Sequence, residues 1–451
     1  MRWHERSRRR TLTLLGSFGT ATLAGCTLGV EADPSFDHPG QVHVDEPFEM
    51  RIEDVPDGDP LELVLEGGDG TGDRFGAAVE LEVDGDPVDV NDAAVVGGDV
   101  PADLEVPTTV ALLQFADVSW WEFHYGGRRR QGSFEWPDER TLRFVLRNPA
   151  GDELGSTSVR RQYPAVESVE PDGDLVGTAF EPERNGEASG IVVLHGSDGE
   201  RWDHVAALLA RHGYTALALE YFDGPGLPDD LVEIPLEYVE RAIDWVLDRD
   251  RVTGDRAGLW GVSKGGELAL LAGSRLDSVG PVVSIAGSGL VWEGGASADD
   301  LPETSSWSIG GDPVSYLTLS DVDWEPGPNS PVVELFADAL EVADGAAIDE
   351  ATIPVEEIEG PVLLVSGGDD RLWPAERLQN VAVARLESAD HPSHRHLVYE
   401  DAGHGIFQPY FPLEETYGRG YGGTLAASAE AAHDHWPDVL TAFSALDVPA
   451  R

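Results

Sequence analysis

Apolar residues in this chain change their spacing near residue 169. Downstream of that point, short unbroken apolar runs alternate with stretches in which apolar positions recur at helical spacing. Runs of the first kind predict strands buried on both faces, and stretches of the second kind predict amphipathic helices. Their alternation predicts a mainly parallel sheet flanked by helices, an α/β architecture. Strand-type runs fall at residues 190–194, 214–221, 256–262, 361–366 and 396–399. Helix-type stretches fall at 201–211, 234–247 and 264–275; Leu236, Val239, Ile243, Val246 and Leu247 share one face of the second.

Upstream the pattern differs. Short β-like runs at 48–52, 61–65, 79–83, 109–115 and 141–146 are split by Gly, Asp and Pro, which predicts a small all-β sandwich. Trp120, Trp121, Phe123 and Tyr125 then lead into Gly126-Gly127-Arg128-Arg129-Arg130, read as a hairpin with a solvated arginine tip. Between residues 287 and 358 the downstream alternation also breaks, into Gly-, Ser-, Asp- and Pro-rich sequence carrying Trp292, Trp307, Tyr316 and Trp324. This excursion reads either as a cap offering an apolar acyl pocket or as an insertion whose tryptophans pack on their own scaffold.

The first residues follow another logic. Arg6, Arg8, Arg9 and Arg10 precede an apolar stretch at 12–25 that is too short to span a bilayer but suits a signal peptide. The tandem arginines resemble a twin-arginine export signal. Leu23-Ala24-Gly25-Cys26 resembles a lipoprotein cleavage box, with Cys26 the residue to be acylated. Cys26 is the only cysteine, so no intrachain disulfide can form. The expected organisation is a signal at 1–26, a tethered β-sandwich at 27–165 and a catalytic domain at 166–451. The expected location is the outer face of the cell membrane, held only by the lipid at Cys26.

Charge narrows the partners. With 84 acidic against 30 basic residues, the net charge is −54, which argues against nucleic acid and against anionic membrane surfaces. The acidic residues are spread through every segment, as suits a solvated surface in high salt, where screening weakens self-repulsion.

Against this background one basic residue stands out. Lys264, the only lysine, follows Ser263 in Gly261-Val262-Ser263-Lys264-Gly265, between a strand-type run and a helix-type stretch. That context predicts a nucleophile elbow, a strained turn that lifts a serine hydroxyl above the end of a parallel sheet. A serine hydroxyl is a weak nucleophile without a base to take its proton. His404, in Asp401-Ala402-Gly403-His404-Gly405, follows the last strand-type run and is the candidate base. Asp370, in Gly367-Gly368-Asp369-Asp370 with Pro374 beyond it, follows the run at 361–366 and is the candidate for orienting the imidazole. The alternative for Asp369 and Asp370 is a solvated acidic pair. The chain order Ser, Asp, His is that of α/β-hydrolases, which places the predicted sheet in that fold class. The loop His195-Gly196-Ser197-Asp198-Gly199 follows another strand-type run, so the backbone N–H groups of Ser197 and Lys264 are the candidate oxyanion donors. His195 reads as a loop-packing residue. The chemistry expected needs no metal and no cofactor.

Three segments resemble the acyl-CoA thioesterase and bile-acid-CoA:amino-acid N-acyltransferase family: GLWGVSKGGEL at 258–268, SGGDDRLW at 366–373 and AGHGIFQPYFP at 402–412. The resemblance covers most of the mature chain and implies an N-terminal β-sandwich ahead of an α/β-hydrolase domain. It also implies Ser263 as nucleophile, Asp370 as acid and His404 as base. Family members that amidate an amine carry cysteine at the elbow, so serine favours transfer to water. The family's substrate is a coenzyme A thioester inside cells, whereas export argues for an ester, a lactone or another activated acyl compound. The reading is a serine acyl hydrolase of a small thioester or ester. Its alternatives are an acyltransferase to an amine or alcohol and a non-catalytic surface lipoprotein that keeps the hydrolase fold.

Overall fold

Alternate residues of each central strand feed two different cores. Ile191 and Val193, Ala216 and Ala218, Trp260 and Val262, Val283 and Ile285, and Leu363 and Val365 face one of them. Val192, Leu194, Leu217, Leu219, Leu259, Val282 and Leu364 face the other. Two-sided burial of this kind is what unbroken apolar runs require, because neither face of the sheet meets water.

The computed structural model describes residues 33–447, apart from 57–59, 69–73, 117–138, 163, 165, 183–185, 295–302, 323, 325–330, 408–412 and 414–419. The expected signal with Cys26, the aromatic and arginine segment at 120–130, and Pro409-Tyr410-Phe411-Pro412 lie outside the described residues. No helix among the described residues is long and apolar enough to cross a membrane.

The central sheet has eight strands: β1 (Val166–Val169), β2 (Val176–Pro182), β3 (Gly190–Leu194), β4 (Thr215–Glu220), β5 (Ala257–Val262), β6 (Val279–Ile285), β7 (Val362–Gly367) and β8 (His394–Tyr399). Their spatial order is β1-β2-β4-β3-β5-β6-β7-β8. Strand β2 runs antiparallel to β1 and β4, and the remaining neighbours are parallel. Helices α1 (Asp203–Arg211) and α5 (Leu425–Phe443) cover the first core. Helices α2 (Leu236–Leu247), α3 (Lys264–Gly273) and α4 (Ala375–Ser388) cover the second. This order, with helices on both faces, is the α/β-hydrolase sheet. Every strand and helix expected downstream of residue 169 is present with ends within two residues of expectation.

The N-terminal part is β-rich. Six strands pair in the order Gln41–His43, Glu153–Gln162, Glu139–Arg147, Leu61–Gly68, Arg74–Leu81 and Val95–Gly98, and three more (Ser35–Asp37, Arg51–Glu53 and Val88–Asp89) form a second sheet. It is not all-β, however. The run at 109–115, expected as a strand, is the helix Thr108–Gln114. All its residues are buried, polar and apolar alike, so its burial shows neither a period of two nor one of 3.6. Val42, Phe48, Met50, Leu63 and Phe144 belong to the same continuous core as α1 and α5, so the β-rich part packs on that face of the central sheet. Gln114 Nε2 donates to the Ala429 carbonyl of α5 at 3.1 Å across the junction.

The excursion at 287–358 holds two helices, Val332–Val342 and Gly345–Ala351, and a short strand Trp307–Ile309 that pairs with Ile234–Pro235. Trp292 and Trp307 are fully buried, so neither indole offers an open apolar wall. Trp292 Nε1 donates to Ser288 Oγ at 3.2 Å, and the Phe336 ring stands edge-on to the Trp292 ring at 4.9 Å.

Candidate active site

Strand β5 ends at Val262 and α3 begins at Lys264, leaving a single residue to turn the chain. That residue, Ser263, sits at φ 54° and ψ −121°, a strained conformation for a side chain with a Cβ. Its N–H donates to the Ile285 carbonyl of β6 at 2.8 Å, and its own carbonyl accepts from Gly266 and Glu267. These bonds hold the turn closed from both sides. The flanking glycines are sterically required: a Cβ on Gly261 would lie 2.1 Å from the Gly265 carbonyl oxygen, and one on Gly265 would lie 2.3 Å from that of His195. The turn has the geometry of a nucleophile elbow, with Ser263 almost buried at the carboxyl end of the sheet.

The acid and base loops follow β7 and β8, whose ends are paired through Gly367 and Tyr399. Asp370 Oδ1 accepts from the N–H groups of Leu372 and Trp373 at 2.8 and 3.2 Å, which aims the second oxygen inward. That oxygen, Oδ2, lies 2.7 Å from His404 Nδ1. Both side chains are almost fully buried. Asp369 points the other way, toward Arg371 and the Gly423 N–H, with its side chain 48% exposed. The two neighbouring carboxylates thus point in opposite directions.

The imidazole is enclosed by rings. Trp373, Phe407 and Tyr421 stand edge-on to it with centroids 6.4, 5.5 and 5.5 Å away. Trp373 Nε1 donates to the Ala286 carbonyl at 2.8 Å, one residue beyond the Ile285 carbonyl that holds Ser263. His404 and the elbow therefore share one rim of the sheet. Ser263 Oγ makes no hydrogen bond to His404 among the described residues. Such nucleophile–base contacts are commonly long without substrate and tighten when it binds. Burial pushes the Tyr421 phenol above its ordinary range, and Asp198, Glu200 and Asp370 add to that through their charge.

The loop after β3 forms the opposite wall. A Cβ on Gly196 would lie 3.4 Å from Ser263 Cβ, so the loop backbone reaches the nucleophile. Ser197 is exposed at the loop's tip, and Lys264 N–H belongs to the first turn of α3, whose donors lack intrahelical acceptors. His195 is fully buried, its ring stacked on Tyr221 at 4.0 Å, which makes it part of the loop's packing.

Sequence reasoning passed over several residues that the structure brings to the site. The Tyr421 carbonyl accepts from His404 N–H at 2.9 Å and from Arg371 N–H at 3.0 Å, tying the base loop to the acid loop. Gly422 and Gly423 follow at φ 78° and 70°, where a Cβ would lie 1.9 Å from the Asp369 carbonyl oxygen and 2.1 Å from the Gly403 nitrogen. The only signal was the Gly422-Gly423 pair itself, remote in sequence from both loops. Glu267 had a clearer one, as a lone carboxylate among the apolar residues of α3.

The family described as BAAT / Acyl-CoA thioester hydrolase C terminal matches residues 234–446. The mouse peroxisomal succinyl-coenzyme A thioesterase is 30% identical over 307 residues, covering 65% of this chain and 69% of the relative. Human acyl-coenzyme A thioesterases 1 and 2 are each 31% identical over 278 residues; the alignment covers 60% of this chain but only 63% and 55% of those relatives. Among solved structures, a putative dienelactone hydrolase from Klebsiella pneumoniae aligns over 62% of this chain and 99% of its own, with a TM-score of 0.39 and 16% identity. With 30% identity sustained across 69% of a thioesterase, this chain belongs to the acyl-CoA thioesterase and bile-acid-CoA:amino-acid N-acyltransferase family.

Proposed function

We propose that the protein is a serine acyl hydrolase in which Ser263, His404 and Asp370 act as nucleophile, base and orienting acid on a small acyl thioester or ester. The observation that carries this reading is the buried 2.7 Å contact between His404 Nδ1 and Asp370 Oδ2, on the same sheet rim as a strained serine elbow. The carboxylate fixes the proton on Nδ1, leaving Nε2 as the base. Nε2 takes the Ser263 proton as Oγ bonds to the acyl carbon, and the carbonyl π electrons move onto oxygen. The Lys264 and Ser197 N–H groups are the donors proposed for that oxyanion, each contributing about 3 kcal/mol in a site closed to water. Collapse breaks the bond to the leaving thiolate or alkoxide, which the imidazolium protonates. Water then repeats the sequence on the acyl-enzyme, giving the carboxylic acid and free Ser263.

Thioesters are favoured by the three relatives cited above, each of which is named a coenzyme A thioesterase. A fluorophosphonate probe in molar salt should label the protein and fail to label Ser263→Ala, and hydrolysis of a panel of acyl thioesters and oxygen esters should disappear in the same variant. Equal labelling or equal turnover by Ser263→Ala would remove Ser263 from the reaction. Activity on oxygen esters alone would narrow the substrate class away from thioesters.

A further inference from the structure

Glu267 is fully buried one helical turn past the nucleophile, and four hydrogen bonds converge on its carboxylate. Lys264 Nζ donates at 2.8 and 2.9 Å, Trp307 Nε1 at 2.7 Å and the Trp292 N–H at 3.3 Å. Those donors come from two places: the first turn of α3, which carries the Lys264 N–H, and the excursion, which supplies both indole-bearing residues. Burial alone drives the Lys264 ammonium below its ordinary range and the Glu267 carboxyl above it, with each one's charge opposing the shift in the other. A buried ion pair of this kind adds little stability over well-packed apolar side chains of the same volume. Its place beside the nucleophile calls for another role.

The contacts continue from Trp307 to the opposite wall of the site. The Trp307 ring lies 5.9 Å from the Tyr221 ring, Tyr221 stacks on His195 at 4.0 Å, and the Tyr221 hydroxyl donates to the His195 carbonyl. The His195 carbonyl oxygen is also the atom that a Cβ on Gly265 would meet at 2.3 Å. The loop after β3 and the first turn of α3 thus touch directly at Gly265, and Glu267 braces the same two walls from behind through Lys264 on one side and Trp307 on the other.

We propose that Glu267 is a positioning residue for acyl transfer, holding the first turn of α3 and the loop after β3 in register so that the Lys264 and Ser197 N–H groups converge on one oxyanion. The inference rests on Ser263 being the nucleophile. It requires that losing Glu267 weaken transition-state binding while leaving substrate binding nearly intact.

The test uses the full chain in high salt, with two variants. Lys264→Met/Glu267→Leu leaves no unpaired buried charge, and Glu267→Asp keeps the charge while shortening its reach. For whichever variant retains the wild-type circular dichroism, kcat should fall roughly 30- to 100-fold with KM within about threefold. An alkylboronic acid, which forms a tetrahedral adduct on the serine, should bind weaker by the same factor as kcat. A folded variant with unchanged kcat and unchanged boronate affinity would overturn the proposal, as would a loss confined to KM. Wild-type labelling at Ser263 is scored separately, so failure of the nucleophile assignment is distinguishable from failure of the positioning role.

Discussion

His404 Nδ1 and Asp370 Oδ2 are 2.7 Å apart in a pocket that excludes most solvent, while Asp369, the next residue in sequence, turns outward. Asp370→Asn preserves the shape but offers the ring an amide that no longer dictates which nitrogen holds the proton. We expect kcat to fall about 10³- to 10⁴-fold with the fold intact. Asp369→Asn should stay within about twofold, because its side chain is 48% exposed and contacts neither the ring nor the elbow. Steady-state kinetics of both variants at one salt concentration make the comparison, and a larger loss in Asp369→Asn would reverse the assignment.

Gly422 has a conformational and a steric reason to be glycine, whereas Gly420, two residues earlier, has open space around a Cβ. Gly422→Ala would force a Cβ to within 1.9 Å of the Asp369 carbonyl oxygen at φ 78°. We expect it to lower stability by more than about 2 kcal/mol and to displace the acid and base loops together. Gly420→Ala should change stability by no more than about 0.5 kcal/mol. Thermal midpoints and kcat for the two variants check this, and similar values for both would mean that the glycine pair does not clamp the loops.

His396 gives stability a pH dependence with a definite sign. It hydrogen-bonds Ser366 at 2.9 Å in a chain that continues through Gln379 to Ser284, and burial lowers its pKa from 6.5 to about 4. Below pH 6.5 the unfolded chain binds a proton that the folded chain refuses until about pH 4. The contribution is therefore complete above pH 6.5 and is lost as pH falls toward 4. At 1.36 kcal/mol per pKa unit, and discounted for partial exposure, it amounts to about 2 kcal/mol. The urea midpoint should drop more between pH 7 and pH 5 in the wild type than in His396→Gln. Parallel profiles would dissociate His396 from the effect.

Cys26, outside the described residues, carries the expectation of a lipid anchor. In the native host, Cys26→Ser should move the protein from the membrane fraction to the soluble fraction or the medium without altering its specific activity. Partitioning into Triton X-114 reads the difference, and an unchanged detergent-phase share in Cys26→Ser would dismiss the anchor.

The site was legible in proportion to how locally its parts are specified. The elbow could be read because one turn needs glycine on both sides of Ser263 within five residues, and because a short unbroken apolar run precedes it while Leu268, Leu271 and Ala272 follow at helical spacing. Asp370 and His404 could be nominated because each follows the end of a recognisable strand. The helix Thr108–Gln114 could not be told from a strand, since complete burial erases the alternation that distinguishes the two. The tryptophans of the excursion kept both readings open, because a large apolar ring suits a pocket wall and a packed interior alike; Trp292 and Trp307 are fully buried, whereas Trp324 is only partly so.

By itself the sequence determined five of the eight strands of the central sheet and the order of the reactive residues, because these depend on spacing along one stretch of chain. Only the tertiary structure decided that the Tyr421 carbonyl joins the acid loop to the base loop, and that Glu267 links two walls of the site. Hydrogen bonds and close backbone approaches act over about 3 Å of space between residues tens to more than a hundred positions apart. No local pattern encodes such contacts until the sheet has brought the ends of its strands to one rim.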